Sequence, residues 1–242
     1  MPKKYAMVID SSVCLDCKAC MVSCKVWNEV PQGYWRNWIK RNEPDFSQGK
    51  SSSQHFQPGG CMQCEEPTCV QACPSAATYK DQENSIVQIN TELCIGCGNC
   101  IQACPYGARY RHPSLRVPDK CDFCQNRLAQ GLLPACVDTC PTKARVFGDL
   151  NDPESEAARL LKKNNTVRII SNPVDTKPNM YYLASTSPTD WVGKVEYPSA
   201  YRFMSDVVNP VLKIAVGLSA VGALAMLAKQ LLSSQEEEET RD

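Results

Sequence analysis

The sequence predicts an α+β chain held together by metal clusters rather than by a large apolar core, ending in a single membrane-spanning helix. Three observations carry this. Sixteen cysteines fall into four groups of four, the stretches around them are short alternating or apolar runs, and fifteen consecutive uncharged residues occupy 214–228. The hydrophobic fraction of 43% in 242 residues excludes general disorder. A formal net charge of zero with no arginine-rich stripe lacks the basic field that nucleic-acid binding needs, so nucleic acid is not expected as a partner.

The first residues hold two lysines but no apolar h-region or small-residue cleavage site, so no secretory signal is read there. Cytosolic thiols are kept reduced, and such a cysteine load then argues for metal rather than disulfides. The spacing strengthens this. Cys14, Cys17, Cys20 and Cys24 read C-x2-C-x2-C-x3-C, and Cys94, Cys97, Cys100 and Cys104 repeat that spacing before Pro105. Cys61, Cys64, Cys69 and Cys73 read C-x2-C-x4-C-x3-C before Pro74, while Cys121, Cys124, Cys136 and Cys140 read C-x2-C-x11-C-x3-C before Pro141. CVQACPSAATY and CIQACPYGARY form an internal repeat, echoed by CVDTCPTKARVF.

Three closely spaced cysteines wrap three corners of one cubane. The fourth lies too far along the chain and ligates the neighbouring cluster, so motifs must work in pairs. Four thiolates for each of four [4Fe-4S] clusters match the sixteen cysteines with no remainder. Two other readings exist. Zinc ribbons use paired C-x2-C elements, and the fourth group with its long insertion fits one, although zinc sites lack the C-x3-C-P ending. A disulfide scaffold is the other.

Residues 5–10, 85–90 and 144–150 read as strands, and proline after each of the last three motifs opens a turn. Asp152 with Pro153 behind it predicts a capped amphipathic helix over 153–163. Residues 27–60 hold Trp27, Trp35, Trp38, Arg36 and Arg41, residue types enriched at interface cores; ordinary packing over the outer motifs explains them equally. Residues 166–206, proline-rich from 171 to 200, read as an extended linker.

The uncharged run extends to a span of 207–232 if Asn209 and Lys213 are accommodated, with Lys213 able to snorkel and Trp191, Tyr197, Tyr201 and Phe203 ahead of it like an interfacial belt. A helix docked on a partner is the rival reading. Ala215, Ser219 and Ala223 permit close packing against another membrane helix. Residues 233–242 form an acidic tail, and the charges flanking the span are too balanced to orient it. Lys18, Lys25, Lys120 and Lys143 stand beside cysteines and could raise cluster potentials, or simply be solvated. His55 and His112 read as surface or packing residues, and no phosphate loop, nucleophile elbow or HExxH is present.

The order CLDCKACMVSC, CMQCEEPTCVQACP, CIGCGNCIQACP, CDFCQNRLAQGLLPACVDTCP resembles the iron-sulfur subunits of complex iron-sulfur molybdoenzymes, such as dimethyl sulfoxide, polysulfide and tetrathionate reductases and membrane-bound formate dehydrogenase. The resemblance implies two interleaved bacterial dicluster ferredoxin-like domains within 1–165, an outer pair from 1–30 and 115–150 and an inner pair from 58–114. It also implies four ligand sets: Cys14, Cys17, Cys20 and Cys140; Cys121, Cys124, Cys136 and Cys24; Cys61, Cys64, Cys69 and Cys104; Cys94, Cys97, Cys100 and Cys73. No ligand is replaced, unlike in respiratory nitrate reductase, where a tryptophan stands in one motif.

The implied role is a wire and not a catalyst. Electrons hop between a molybdopterin-dependent catalytic subunit and an integral quinone- or haem-binding membrane subunit. The implied location is the cytoplasmic membrane, with the cluster domain on the periplasmic side through co-export with a partner. Similar subunits serve nickel-iron hydrogenases and quinone-oxidoreductase complexes without a working molybdenum site. A zinc-stabilised interaction module is the remaining class.

Overall fold

The computed structural model describes residues 2–41, 56–170 and 174–183. The span at 207–232, the acidic tail, His55 and most of the 166–206 segment lie outside them. Among the described residues no helix is long and apolar enough to cross a membrane.

A four-stranded sheet anchors one side of the chain. Strand β1, Tyr5–Ile9, lies between β8, Arg145–Asp149, and β10, Met180–Leu183; β9, Thr166–Val167, closes the edge. β1 runs antiparallel to β8, with Tyr5 opposite Asp149 and Ile9 opposite Arg145, and parallel to β10, with Met7 opposite Met180. Among the described residues the other strands form three two-stranded ribbons: β2 Asn37–Arg41 with β3 Phe56–Gly60, β4 Thr78–Lys80 with β5 Val87–Ile89, and β6 Tyr110–Arg111 with β7 Pro118–Asp119.

Alternation along the strands divides the sheet into two faces. Met7, Ile9, Phe147, Met180 and Tyr182 point to one side, where they pack with Met62, Ile86, Phe123, Ile169 and two of the cysteines, Cys20 and Cys136. Val8 and Val146 point to the other and meet Ala157 on helix α6, Glu156–Lys163. Thiols are thus part of the main core.

Four short helices carry cysteines: α1 Ala19–Trp27, α2 Thr68–Gln71, α3 Asn99–Gln102 and α5 Ala135–Asp138; α4, Gln125–Leu128, follows Cys124. In α1 and α3 the residue before the helix adopts the left-handed conformation, Lys18 at φ 61° and Gly98 at φ 83°. This left-handed residue reverses the chain between the two cysteines of the C-x2-C loop. At position 98 a Cβ would also come within 3.0 Å of the Arg111 guanidinium, which would have to shift slightly to admit one.

Two expectations are revised. The helix over 153–163 starts at Glu156 with Ser155 as its cap, because Asp152 caps a preceding turn instead: its carboxylate accepts from the Glu154 N–H at 2.9 Å. An Asp-Pro pair favours such a turn over helix initiation. The segment read as a linker from 166 also enters the sheet as β9 and β10. Proline-rich sequence is extended, and an extended run beside an unpaired β1 edge becomes a strand. Tyr182, fully buried, donates its hydroxyl to the Pro58 carbonyl at 3.0 Å. Tyr182→Ala is expected to lower stability by about 3–5 kcal/mol, the range for truncating a large buried ring, as read by denaturant unfolding of the cluster-loaded protein. An exposed linker residue would change it by less than about 0.5 kcal/mol.

Candidate metal centres

All sixteen cysteines are described and all are free thiols. Cys17 and Cys97 are exposed; Cys20, Cys24, Cys61, Cys69, Cys100, Cys124 and Cys136 are buried, and the others are half-buried.

Cys61, Cys64, Cys69 and Cys104 line one small cavity, with Pro67, Val87, Pro105, Tyr106 and Arg109 completing its wall. Three of these thiols come from the second motif and one from the third. Burial pushes the Cys104 thiol up to about 11, with Cys61 and Cys69 adding to the shift. It pushes Cys64 higher still, with Cys61, Cys69 and Cys104 contributing in the same direction. A second group joins Cys24 to the fourth motif. Asn28 Nδ2 stands 3.6 Å from both the Cys24 and the Cys124 sulfur. Burial raises Cys24 to about 12, and nearby Cys136 and Cys124 add to it; Cys121 is raised by burial and by Cys24, Cys136 and Cys124. Cys136 is raised to about 11, chiefly by burial.

Cys14 lies within electrostatic reach of Cys20. Cys94 and Cys97 sit in the loop before α3, Cys100 lies on that helix, and Cys73 follows α2.

Backbone and side chains aim donors at several sulfurs. The Thr78 N–H reaches Cys73 at 3.3 Å, the Ala108 N–H reaches Cys104 at 3.4 Å and the Phe123 N–H reaches Cys121 at 3.4 Å. Ser75 and Thr142, each two residues past a Cys-Pro cysteine, bring hydroxyls 3.8 Å from Cys73 and Cys140. Thr176, buried in the segment read as a linker, shares a hydrogen bond with the Tyr106 hydroxyl at 3.0 Å and opposes the upward shift of the Cys64 thiol. These donors stabilise negative charge on sulfur, whereas burial opposes it. Such thiols ionise only against a cation in their midst, which is the chemistry of an iron-sulfur cluster. A lone zinc ion would need its donors within about 2.0–2.3 Å of one point. Among the described residues no group of three or more His, Cys, Asp or Glu side chains is arranged around a single ion.

The two thiol groups are tied together by Gln63, which lies between Cys61 and Cys64 and is fully buried. Its amide donates to the Cys121 carbonyl at 2.8 Å and accepts from the Val87 N–H at 2.8 Å. Asn179, ahead of β10, donates to the Gln63 carbonyl at 2.9 Å. The 27–41 stretch packs over the fourth motif: Arg36 pairs with Asp119 at 2.7 Å and bonds Asn28 at 3.0 Å, and Arg127 stacks on Trp27 at 4.5 Å.

Sequence reading singled out four lysines. Lys120 is buried and donates to the Cys121 carbonyl at 2.8 Å. Lys18 pairs with Asp16, Lys25 donates to the Tyr34 carbonyl at 3.0 Å, and Lys143 is exposed. His112 accepts from the Leu115 N–H at 3.1 Å in a turn. What sequence reading missed are two arginines. Arg109, 5% exposed, donates to the Cys69 sulfur at 3.0 Å, and Arg145, 3% exposed, donates to the Gly59 carbonyl at 3.2 Å and lies within electrostatic reach of Cys20 and Cys136.

Known proteins share this chemistry. Residues 52–150 match the family described as 4Fe-4S dicluster domain, and residues 11–27 match a 4Fe-4S binding domain. Protein NrfC of Escherichia coli (strain K12) is 44% identical over 74% of this chain and 79% of that protein. The B component of polysulfide reductase from Wolinella succinogenes is 41% identical over 76% and 95%, and the B component of tetrathionate reductase from Salmonella typhimurium is 38% identical over 74% and 72%. The thiosulfate reductase electron transfer subunit PhsB of Salmonella typhi is 44% identical over 64% and 80%. The cysteine content and the matched domains account for four [4Fe-4S] clusters. With its α+β ferredoxin-like dicluster architecture, this protein belongs to the family of 4Fe-4S dicluster electron-transfer subunits that includes NrfC and the B components of polysulfide and tetrathionate reductases.

Proposed function

We propose that this chain conducts single electrons between a molybdopterin catalytic subunit and a quinone- or haem-binding membrane subunit of a respiratory reductase. The observation that carries the wire is the cross-motif grouping, Cys104 with Cys61, Cys64 and Cys69, and Cys24 with Cys121, Cys124 and Cys136. By the same crossing, Cys140 completes the set of Cys14, Cys17 and Cys20, and Cys73 completes the set of Cys94, Cys97 and Cys100. The clusters, when bound, supply the one-electron chemistry. The chain's residues hold them, exclude water and set the local charge.

The two ends of the wire follow from exposure. Cys17 and Cys97 are exposed thiols of the two outlying sets, and beside them stand Leu15, 66% exposed, and Ile95, 68% exposed. Apolar side chains left in solvent next to a redox ligand fit docking by one partner at each end. Between the ends, the Gln63 bond to Cys121 carries the path from one pair to the other. The similarity to components of named reductases supports a multi-subunit complex.

The 207–232 segment is the membrane-spanning helix in this reading, with the complex at the cytoplasmic membrane and the cluster domain on its periplasmic side. Anaerobic purification in mild detergent, with elemental analysis, tests the reading. Iron above the sixteen atoms of four cubanes, accompanied by molybdenum or tungsten, is the expected result. Iron with nickel instead would assign the same wire to a hydrogenase, and a colourless zinc-loaded chain would overturn the reading.

A further inference from the structure

The third and fourth motifs share one feature beyond their cysteines. In CPYGAR and CPTKAR an arginine stands five residues after the Cys-Pro cysteine, Arg109 after Cys104 and Arg145 after Cys140. The second motif has Thr78 at that place, and Arg109 bonds its hydroxyl at 3.4 Å. Each arginine reaches across to the other motif of its pair. Arg109 donates to Cys69, the third cysteine of the second motif, and Arg145 lies within electrostatic reach of Cys20, the third cysteine of the first.

Both side chains are buried, and neither has a carboxylate partner among the described residues. Arg145 finds further acceptors in the Gly59 carbonyl at 3.2 Å and the Trp38 carbonyl at 3.5 Å. A buried guanidinium without a carboxylate is costly unless negative charge lies nearby. Thiolate sulfur supplies it. Arg109 lies within electrostatic reach of Cys61, Cys69 and Cys104 and also of Cys100. Arg145 lies within reach of Cys20 and Cys136, and acts on Cys14 and Cys24. In each case the thiols belong to two different ligand sets.

We infer that Arg109 and Arg145 are positioning residues for charge, one per cluster pair, each sharing its positive charge between the two clusters so that an added electron is stabilised on either. This rests on the ligand sets proposed above. An electron arriving from a neighbouring cluster makes or breaks no bond, and the guanidinium stays protonated throughout because its pKa is far above neutral. Its field therefore raises both potentials of a pair together and leaves the driving force for transfer within the pair unchanged.

The test is a redox titration followed by electron paramagnetic resonance on the intact complex, using Arg109→Gln, Arg145→Gln and the corresponding lysine variants. Four clusters in the unaltered protein are required first; fewer would refute the ligand sets and, with them, the shared-charge inference. Arg109→Gln is expected to shift both inner-pair clusters at least tenfold toward the oxidised form at a fixed potential, about 59 mV for one electron, with the outer pair unmoved. Arg145→Gln should do the reverse. Lysine, which keeps the charge, should restore most of the shift. The inference is overturned if the glutamine variants leave the potentials unchanged, if only one cluster of a pair moves, or if lysine behaves as glutamine does. Loss of clusters with their iron, to the same extent in the glutamine and the lysine variants, would also overturn it, since a purely structural role predicts that.

Discussion

A Cys104→Ser chain is expected to lose the cluster of the second motif while keeping the one its own motif wraps. Cys104 is contiguous in sequence with Cys94, Cys97 and Cys100, yet it lines a cavity with Cys61, Cys64 and Cys69. Removing it strips the fourth thiolate from that set, and an alcohol of much higher pKa is a poor substitute in a site where burial already opposes ionisation. Iron should fall from about sixteen atoms toward about twelve, and electron flow through the complex should drop by about two orders of magnitude or more, since a serial path has no detour. The decisive comparison is spectroscopic. Cys104→Ser should match Cys61→Ser in which cluster signal disappears; a match to Cys94→Ser would refute the crossed assignment. The outer pair offers the same contrast, with Cys24→Ser expected to resemble Cys124→Ser rather than Cys17→Ser.

Spacing made the cysteines readable because a cubane dictates how far apart its thiolates lie along the chain, and that constraint survives any surrounding sequence. Strands at 5–10 and 144–150 were equally legible, since Met7, Ile9 and Phe147 alternate with residues facing α6. Other features depend on partners distant in sequence. Nothing local to Met180–Leu183 says that it pairs in parallel with Tyr5–Ile9, so Thr176, Asn179 and Tyr182 looked like linker residues although they close over the second motif. The arginines are a different case: their signal was present at a fixed offset in two motifs. Lysines adjacent in sequence to cysteines masked it, whereas Arg109, five residues past Cys104, brings its charge to the Cys69 sulfur of the other motif. Sequence neighbours of a ligand point outward as readily as inward, as Lys18 and Lys143 do.

Stripping the iron with a chelator under reducing conditions is expected to unfold most of the chain, not merely to bleach it. Helices α2, α3 and α5 have four residues each, far below the length at which a helix persists alone in water, and the ribbons are two to five residues deep. Their packing is made largely of the ligands: Cys20 and Cys136 belong to the main core, and Cys69 and Cys100 with Val87 make up a smaller one. A structural metal site contributes roughly 10 kcal/mol or more of coupled folding free energy, while the whole net stability of a domain is about 5–15 kcal/mol. Losing one cluster therefore consumes most of the margin, and losing four exceeds it. The pH dependence gives a second handle on the same physics. In the metal-free chain the neutral thiol is the form the fold favours, so whatever compaction remains is present below pH 9.0 and is lost as pH rises through about 12 for Cys24. Reloading has the opposite sign, because ligation releases protons and is favoured as pH rises. Far-UV circular dichroism and limited proteolysis of the chelated chain check the first expectation. Retention of the holo spectrum, with residues 61–140 still protected, would show that the polypeptide holds the cavities open by itself.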